Sequence, residues 1–568
     1  MQFAESCHNS LPNTERTTGK SYVPKILLVI LLLAACLRLF DLRRSPPGLN
    51  QDEAANAWNA YCLLKTGKDQ AGVSWPIFYT RALGGNSSTL YLYLIIPFQA
   101  VGGLNVVTAR LPAAVGGVLT VLIIYFVGKR LFDRKIGLAA AALLTLNPWH
   151  IQQSRWGHEA SIAALLGILP LALLLWANIP ISDEQDRKPR PIRAVLAGAI
   201  SGLCCYGYHS ARLFIPIFLM GICLATLPGW RRLLKTRRVV WSLALFTLGW
   251  SVTFGPLAAQ HIFHPEGIGR HSQFQVSLLA ANSLAVGLKN VALRYLQHFG
   301  PDFLFINGDP YPIQSPPGIG QFHWYMLPLL VLGLIVIVRR IRSSWAARIL
   351  LLYVFFYPVG DCFYQGYGMH ALRSSLGLCS LILLAAVGAV TTGRWLGRRS
   401  RPLALIIAVA FAGAVVALNI RYLHRFYGDY NRQEEIYHGF YSDLVEACAW
   451  LRPLVDNDEV DAVFCSTDGM GMAYIITLVC LEHEPDRWFN QERAFKTLGE
   501  FDFYSHYGRM YFMYDRSFQS ALTELQQNHR PDRVVFITRP GELGSDIPVR
   551  QKFGPDGKTT LCVYCTLL

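Results

Sequence analysis

Acidic side chains are scarce in this chain: 37 Asp and Glu stand against 52 Lys and Arg, a formal charge of +15. Such an excess could serve nucleic acid, but the basic residues fall in short clusters between apolar runs, the distribution that anchors cytoplasmic loops of membrane proteins. Nucleic-acid binding is excluded on that pattern. Residues 1–24 contain no apolar core, so no cleavable signal peptide is expected and the first apolar run serves as an uncleaved anchor. Of the 13 cysteines only Cys562 and Cys565 form a CxxC, with no second pair at ligand spacing. A zinc ribbon is not expected; free thiols or one local disulfide are. The chain also has no internal repeat, no low-complexity linker and no phosphate-loop glycine pattern, and it lacks the inverted duplication of many transporters.

What is abundant is apolar length. Hydrophobic residues make up 52% of the chain and the mean hydropathy is +0.29, with repeated runs near the roughly 20 residues that cross a bilayer. The chain reads as an α-helical polytopic membrane protein. Spans are expected near 25–42, 108–128, 136–152, 160–178, 194–209, 211–228, 239–259, 323–338, 349–365, 371–391 and 402–419, eleven in all. Leu90 to Val101 is too short to span, is broken by Pro97, and reads as an interfacial or re-entrant helix. Lys20 and Lys25 before the first span, and the basic clusters at Arg187–Arg193, Arg231–Arg238, Arg339–Arg348 and Arg394–Arg401, place the N-terminus in the cytoplasm. The loop after the first span, the long segment His261–Gln321 and the tail then lie outside it. The organisation expected is a cytoplasmic tail (1–24), a transmembrane catalytic domain (25–419) and an extracytoplasmic α/β domain (420–568), in the plasma (inner) membrane. Helices at Tyr441–Leu454 and Ser517–Asn528, with strands at Val460–Cys465, Arg533–Thr538 and Thr560–Tyr564, make up that last domain.

The stretch from Pro46 to Tyr61 follows directly on the first span. Pro46 and Pro47 end the preceding helix, and Asp52 and Glu53 fit the first turn of a new one, where the helix dipole favours negative charge. Trp58, Tyr61 and Cys62 recur at helical spacing, so this helix should lie flat at the headgroup boundary. The plainer reading of an Asp-Glu pair is a helix cap beside a solvated loop; its position against the membrane favours a functional one. Further polar residues collect at outward-facing span ends: Arg110, His150, Arg155, His158, Glu159, His209, Arg212, His370 and Arg373. Snorkelling would account for any one of them, while as a set they suggest one external cavity. His150 and His158 lack the i, i+4 spacing of a helical zinc site. Tyr206 to Arg212 and Tyr364 to Arg373 share a layout of aromatics, glycine and His followed by Arg. Arginine's planar fork suits phosphate, and tyrosine suits sugar rings or an isoprenoid stem.

One span, an Asp-Glu pair in the first outer loop, two interfacial helices and then Arg110-Leu111-Pro112 opening the next span resemble the GT-C superfamily of integral-membrane glycosyltransferases. The similarity is to the family 39 type, which includes protein O-mannosyltransferases and the aminoarabinose transferase acting on lipid A, and it extends over about residues 25–400, best in the first 165. The resemblance implies that Asp52 is the catalytic base and that the donor is a polyprenyl-phosphate sugar. Where the aminoarabinose transferases have Glu-Lys-Pro, this chain has Tyr79 to Asn86, with Arg81 as the replacement phosphate contact. The reaction implied is an inverting direct displacement on the extracytoplasmic face, with an acceptor glycan, lipid or protein attacking the anomeric carbon. Arg155, Arg212, Arg373 and Arg81 are the candidates for stabilising the leaving phosphate. Glu53 would orient the acceptor or, with Asp52, help hold a divalent metal ion. The alternative is a transporter or flippase of polyprenyl-linked sugars, which would need the same arginines but no chemistry. A third reading, a receptor domain on a mere anchor, does not explain so many spans.

Overall fold

The computed structural model describes residues 22–179, 190–233, 235–264, 283–364, 369–498, 501–514, 518, 520, 523, 533–543 and 549–567. The cytoplasmic tail expected at 1–24 falls almost wholly outside the described residues, as do Arg187 and Lys188, Gln365–Gly368, and most of the helix expected at Ser517–Asn528.

The N-terminal part is helical. In chain order come α1 (Val23–Leu39), α2 (Gln51–Thr66), a hairpin of β1 (Thr80–Ala82) and β2 (Gly85–Ser87), α3 (Thr89–Gly102), α4 (Val106–Leu131), α5 (Arg134–Thr145), α6 (Pro148–Gln153) and α7 (Ala163–Trp176). Then follow α8 (Pro191–Leu203), α9 (His209–Leu233), α10 (Arg237–Phe263), α11 (Leu284–Gln297), α12 (Met326–Arg340), α13 (Trp345–Phe356), α14 (Ala371–Ser374), α15 (Leu378–Arg399) and α16 (Arg401–Tyr427). Among the described residues six helical stretches are long and apolar enough to cross a membrane: Val106–Leu131, Glu159–Trp176, His209–Thr226, Arg237–Phe263, Ala371–Arg399 and Arg401–Arg432. Thr89–Gly102, Pro191–Tyr206 and Trp345–Gly360 are shorter apolar helices. The chain is a multi-pass membrane protein, and among the described residues six stretches, against the eleven spans expected, meet that length and apolarity. The span expected at 136–152 shows one reason. Asn147 caps a new helix by accepting the His150 amide at 2.9 Å, and Pro148 opens it, so α5 and α6 are separate pieces.

The tail adds α17 (Asp429–Arg432), α18 (Glu434–Gly439), α19 (Ser442–Asp456), α20 (Ala473–Cys480) and α21 (Pro485–Asn490) around a sheet of β3 (Ala462–Ser466), β4 (Arg493–Leu498), β5 (Phe501–Tyr507), β6 (Met510–Met513), β7 (Arg533–Thr538), β8 (Val549–Phe553) and β9 (Leu561–Leu567). Strand order is β4-β5-β6-β3-β7-β9-β8. β3 runs parallel to β6 and β7, and the other pairs are antiparallel. Val463 and Cys465 of β3 with Val535 and Ile537 of β7 pack under α19 and α20, while Ala462, Phe464, Val534 and Phe536 form a second cluster on the opposite face. The same alternation separates Cys562 from Cys565 in β9: three residues apart, they point to opposite faces, and both are free thiols rather than the local disulfide weighed above.

α2 departs from expectation in its surroundings. Its aromatic face meets the tail rather than lipid: Trp58 is fully buried, edge-on to Trp488 at 6.0 Å and against His483 at 6.2 Å. Backbone contacts seal the join, with the Leu49 amide donating to Phe440 O at 2.6 Å and Asn50 Nδ2 to Gly439 O at 2.9 Å. Gly48 has φ +56°, and a Cβ there would collide with the Phe440 carbonyl, so the close approach requires glycine. The first loop and the tail therefore pack directly against each other.

Candidate active site

The two adjacent carboxylates of α2 have opposite fates, because neighbours on a helix point about 100° apart. Glu53 is the third residue of a capping box: its Oε2 accepts the Asn50 amide at 3.1 Å, and the Asn50 side chain caps the same turn. The rest of its carboxylate is taken by Arg110, with Nε to Oε1 and Nη2 to Oε2 both at 2.9 Å, and by the Gly157 amide at 2.5 Å. Both side chains of this pair have no exposure. Glu53 thus has no free oxygen for an acceptor or a metal, and the expected Asp52–Glu53 metal pair does not fit the geometry. Among the described residues no group of three or more His, Cys, Asp and Glu is placed to hold a metal ion.

Asp52 faces the other way, its side chain 41% exposed and its Oδ2 3.8 Å from His158 Nε2. His158 Nδ1 accepts the Ala160 amide at 2.8 Å, so the ring hydrogen sits on Nε2, toward Asp52. Glu159 follows, buried, with Oε1 3.9 Å from His209 Nε2. Arg212, one turn along from His209, lies within electrostatic reach of Glu159; it donates to Cys205 O at 3.4 Å and to Ser88 Oγ at 3.4 Å, and sits 3.1 Å from His261 Nε2. Tyr208 packs edge-on to the His158 ring at 6.3 Å and lies within electrostatic reach of Arg373. Arg373 lies over the Tyr364 ring at 4.5 Å and 3.6 Å from Asp361. His370 Nε2 is 3.1 Å from Gln314 Nε2. The helical stretches beginning at Glu159, His209 and Ala371 all start at this cluster, and helix N-termini favour anions. Asp52, His158, Glu159, His209, Arg212, His370 and Arg373 are thus brought together from four separate stretches of chain.

Arg110, Arg155 and His150 are not part of that surface. Arg155, expected on the lipid phosphate, is fully buried. Its Nε donates to Ser45 O at 3.1 Å, its Nη1 to Leu37 O at 3.0 Å, and its Nη2 to Phe40 O, Asp41 O and Ser45 O at 2.7–3.1 Å. Arg110 does the same for Leu42 O, Pro46 O and Gly48 O. Both arginines clamp the turn between α1 and α2, where a buried guanidinium with every donor satisfied is tolerated. His150 is buried with Nδ1 2.7 Å from Nη2 of Arg38, an arginine of α1 that sequence reading passed over as a span end. Arg81 sits on the exposed face of the β1–β2 hairpin, with its carbonyl accepting from Gln70 Nε2 at 3.0 Å.

Four residues of the site were not anticipated. Asp309 is buried, accepts the Ala371 amide at 2.6 Å and the Tyr311 amide at 2.8 Å, and burial pushes its carboxyl up to about 7. Asp361 is buried under Arg373. Tyr311 and Tyr441 face Asp52 closely enough to feel its charge, and Tyr441 donates to Gln51 Oε1 at 3.0 Å. The available signal was that Asp309 and Asp361 are isolated acids in apolar or aromatic surroundings, in a chain poor in acids.

Residues 86–253 match the family model described as dolichyl-phosphate-mannose-protein mannosyltransferase. No curated protein matches the chain. Among solved structures, ArnT from Cupriavidus metallidurans in the apo state aligns over 96% of this chain and 98% of that one, with TM-score 0.51 and 14% identity. The same protein bound to undecaprenyl phosphate aligns over 95% and 97%, with TM-score 0.50 and 13% identity. The apo oligosaccharyltransferase of Archaeoglobus fulgidus aligns over 82% of this chain at TM-score 0.46 and 13% identity; this chain spans 64% of its length. By fold and by the matched segment, the chain resembles the GT-C superfamily of membrane glycosyltransferases.

Proposed function

We propose that the protein transfers a sugar from a polyprenyl-phosphate donor to an acceptor hydroxyl or amine, with Asp52 as general base, on the extracytoplasmic face of the membrane. The observation that carries this reading is the solvent-facing Asp52 carboxylate beside His158, opposite a surface of arginines and helix N-termini. Asp52 takes the acceptor's proton as its oxygen or nitrogen attacks the anomeric carbon. The bond from that carbon to the lipid phosphate oxygen breaks, the configuration inverts, and the phosphate leaves with increased negative charge. Arg212, Arg373 and the helix N-termini at His209 and Ala371 meet that charge, which grows toward the transition state, so they accelerate the reaction rather than merely bind donor. Glu53 and Arg110 hold α2 in place and touch neither substrate.

Transfer is favoured over transport without chemistry: the polar groups gather at one end of the helices around an exposed carboxylate, and a transport site would lie near the bilayer midplane. The test is mass spectrometry of membranes with and without the protein. A sugar missing from one glycoconjugate, with a polyprenyl-phosphate sugar accumulating, is the expected result; unchanged glycoconjugates would refute the reading.

A further inference from the structure

We infer that Asp361 is a positioning residue that holds Arg373 aimed at the anionic group of the substrate, through a carboxylate shared by two arginines. The inference rests on the polyprenyl-phosphate reading above and adds to it a residue that was not among the candidates read from sequence. Asp361 is fully buried between α13 and α14. Its Oδ2 accepts from His298 Nε2 at 3.1 Å, from Arg294 Nε at 3.3 Å and from the His370 amide at 3.0 Å. Its Oδ1 accepts no hydrogen bond and stands 3.6 Å from Arg373 Nη1.

The arrangement is lopsided. Arg294 is fastened to Oδ2 and, through Nη1, to the Tyr364 carbonyl at 2.7 Å, while the Tyr364 ring forms the shelf under the Arg373 guanidinium. One carboxylate therefore faces two guanidinium groups, and the second is attracted without being captured. A buried carboxylate oxygen with no donor is uncommon and calls for a reason. Here the reason is that a closed Arg373–Asp361 fork would spend the donors that a phosphate needs, whereas removal of Asp361 would leave Arg373 without direction. The neighbouring acid Asp309 does not compensate, because its two oxygens accept the Ala371 and Tyr311 amides. His370, bound to Asp361 through its own amide, starts the helix that carries Arg373, so the same carboxylate sets both the helix start and the side chain.

The experiment measures binding of undecaprenyl phosphate to the full-length protein in detergent, for wild type, Arg373→Lys, Asp361→Asn and the double variant. Arg373→Lys should weaken binding about tenfold, Asp361→Asn by a similar factor, and the double variant no further than the weaker single one, since both act through one contact. Additive losses, or wild-type affinity in Asp361→Asn, would overturn the inference. Should Asp361→Asn fail to fold, Arg294→Gln at the edge of the cluster is the second variant. It removes one of the three donors on Oδ2, so that the carboxylate can turn and close on Arg373, and should lower affinity; unchanged affinity there overturns the inference as well. Absence of binding by the wild type refutes the polyprenyl-phosphate reading itself, and binding with additive variants refutes only the role of Asp361.

Discussion

Asp52 and Glu53 show how much a single helical step decides. Asp52→Asn should reduce transfer by about 10²–10⁴-fold without altering the melting temperature, because it removes a proton acceptor at constant volume; more than a tenth of normal turnover in a purified assay would end its assignment as base. Glu53→Gln should instead destabilise the fold by about 3–5 kcal/mol, because Arg110 is left as a buried charge without its partner. The arginines divide in the same way. Arg155→Lys should lower stability by about 1–3 kcal/mol by stranding buried carbonyls, with donor affinity retained in the folded fraction, whereas Arg212→Lys should act on turnover. Asp309 adds a pH dependence. Its folded pKa, about 7, lies above its unfolded value, so between about pH 4 and 7 the folded state holds a proton that the unfolded state has released. Stability is then highest below the unfolded pKa and falls as pH rises toward 7, with a limiting slope of about 1.4 kcal/mol per unit. Thermal melts of wild type and Asp309→Asn from pH 5 to 8 should differ in slope, the variant being flatter.

At the scale of elements, α2 is where local reading and fold diverge most. Its start was legible, since Asp52 and Glu53 fit a first turn after Pro46 and Pro47, whereas the structure adds that α1 already ends at Leu39, that Asn50 and Glu53 form a capping box and that Gly67 in the left-handed region ends α2. Its Trp58–Tyr61–Cys62 face was legible as apolar but not as to its cover, since an apolar stripe suits lipid or protein equally well. Trp58→Ala should cost about 3–5 kcal/mol, as large buried aromatics do, and should loosen the tail from the membrane domain. Limited proteolysis between α16 and α19 would detect the loosening; a cleavage pattern equal to wild type would contradict it. In the tail, β3, β7 and β9 were readable from β-branched runs, as was α19, because each is apolar with the right period. β4, β5 and β8, mostly polar or half-exposed, had no such signal: their pairing comes from neighbours in the sheet rather than from their own composition.

For the whole molecule, the contact of the first loop with the tail turns a charge-counting expectation into a geometric one. Single cysteines introduced near Gln51 and near Asp456, in a background without reactive native thiols, should label together with an impermeant maleimide on intact cells, both from outside if the positive-inside pattern sets orientation. Labelling of one but not the other would contradict the packing of Leu49 on Phe440. By itself the sequence determined that this is an apolar helical chain with a polar α/β tail, that an acidic pair follows the first span, and that histidines and arginines gather at span ends. Those properties depend on composition and period over a few turns. Only the tertiary structure decided which carboxylate meets solvent and which arginines meet backbone. An arginine at a span end looks the same whether its donors wait for a phosphate or are taken by carbonyls 118 residues away, as those of Arg155 are by Leu37, and no local rule encodes a partner at that distance.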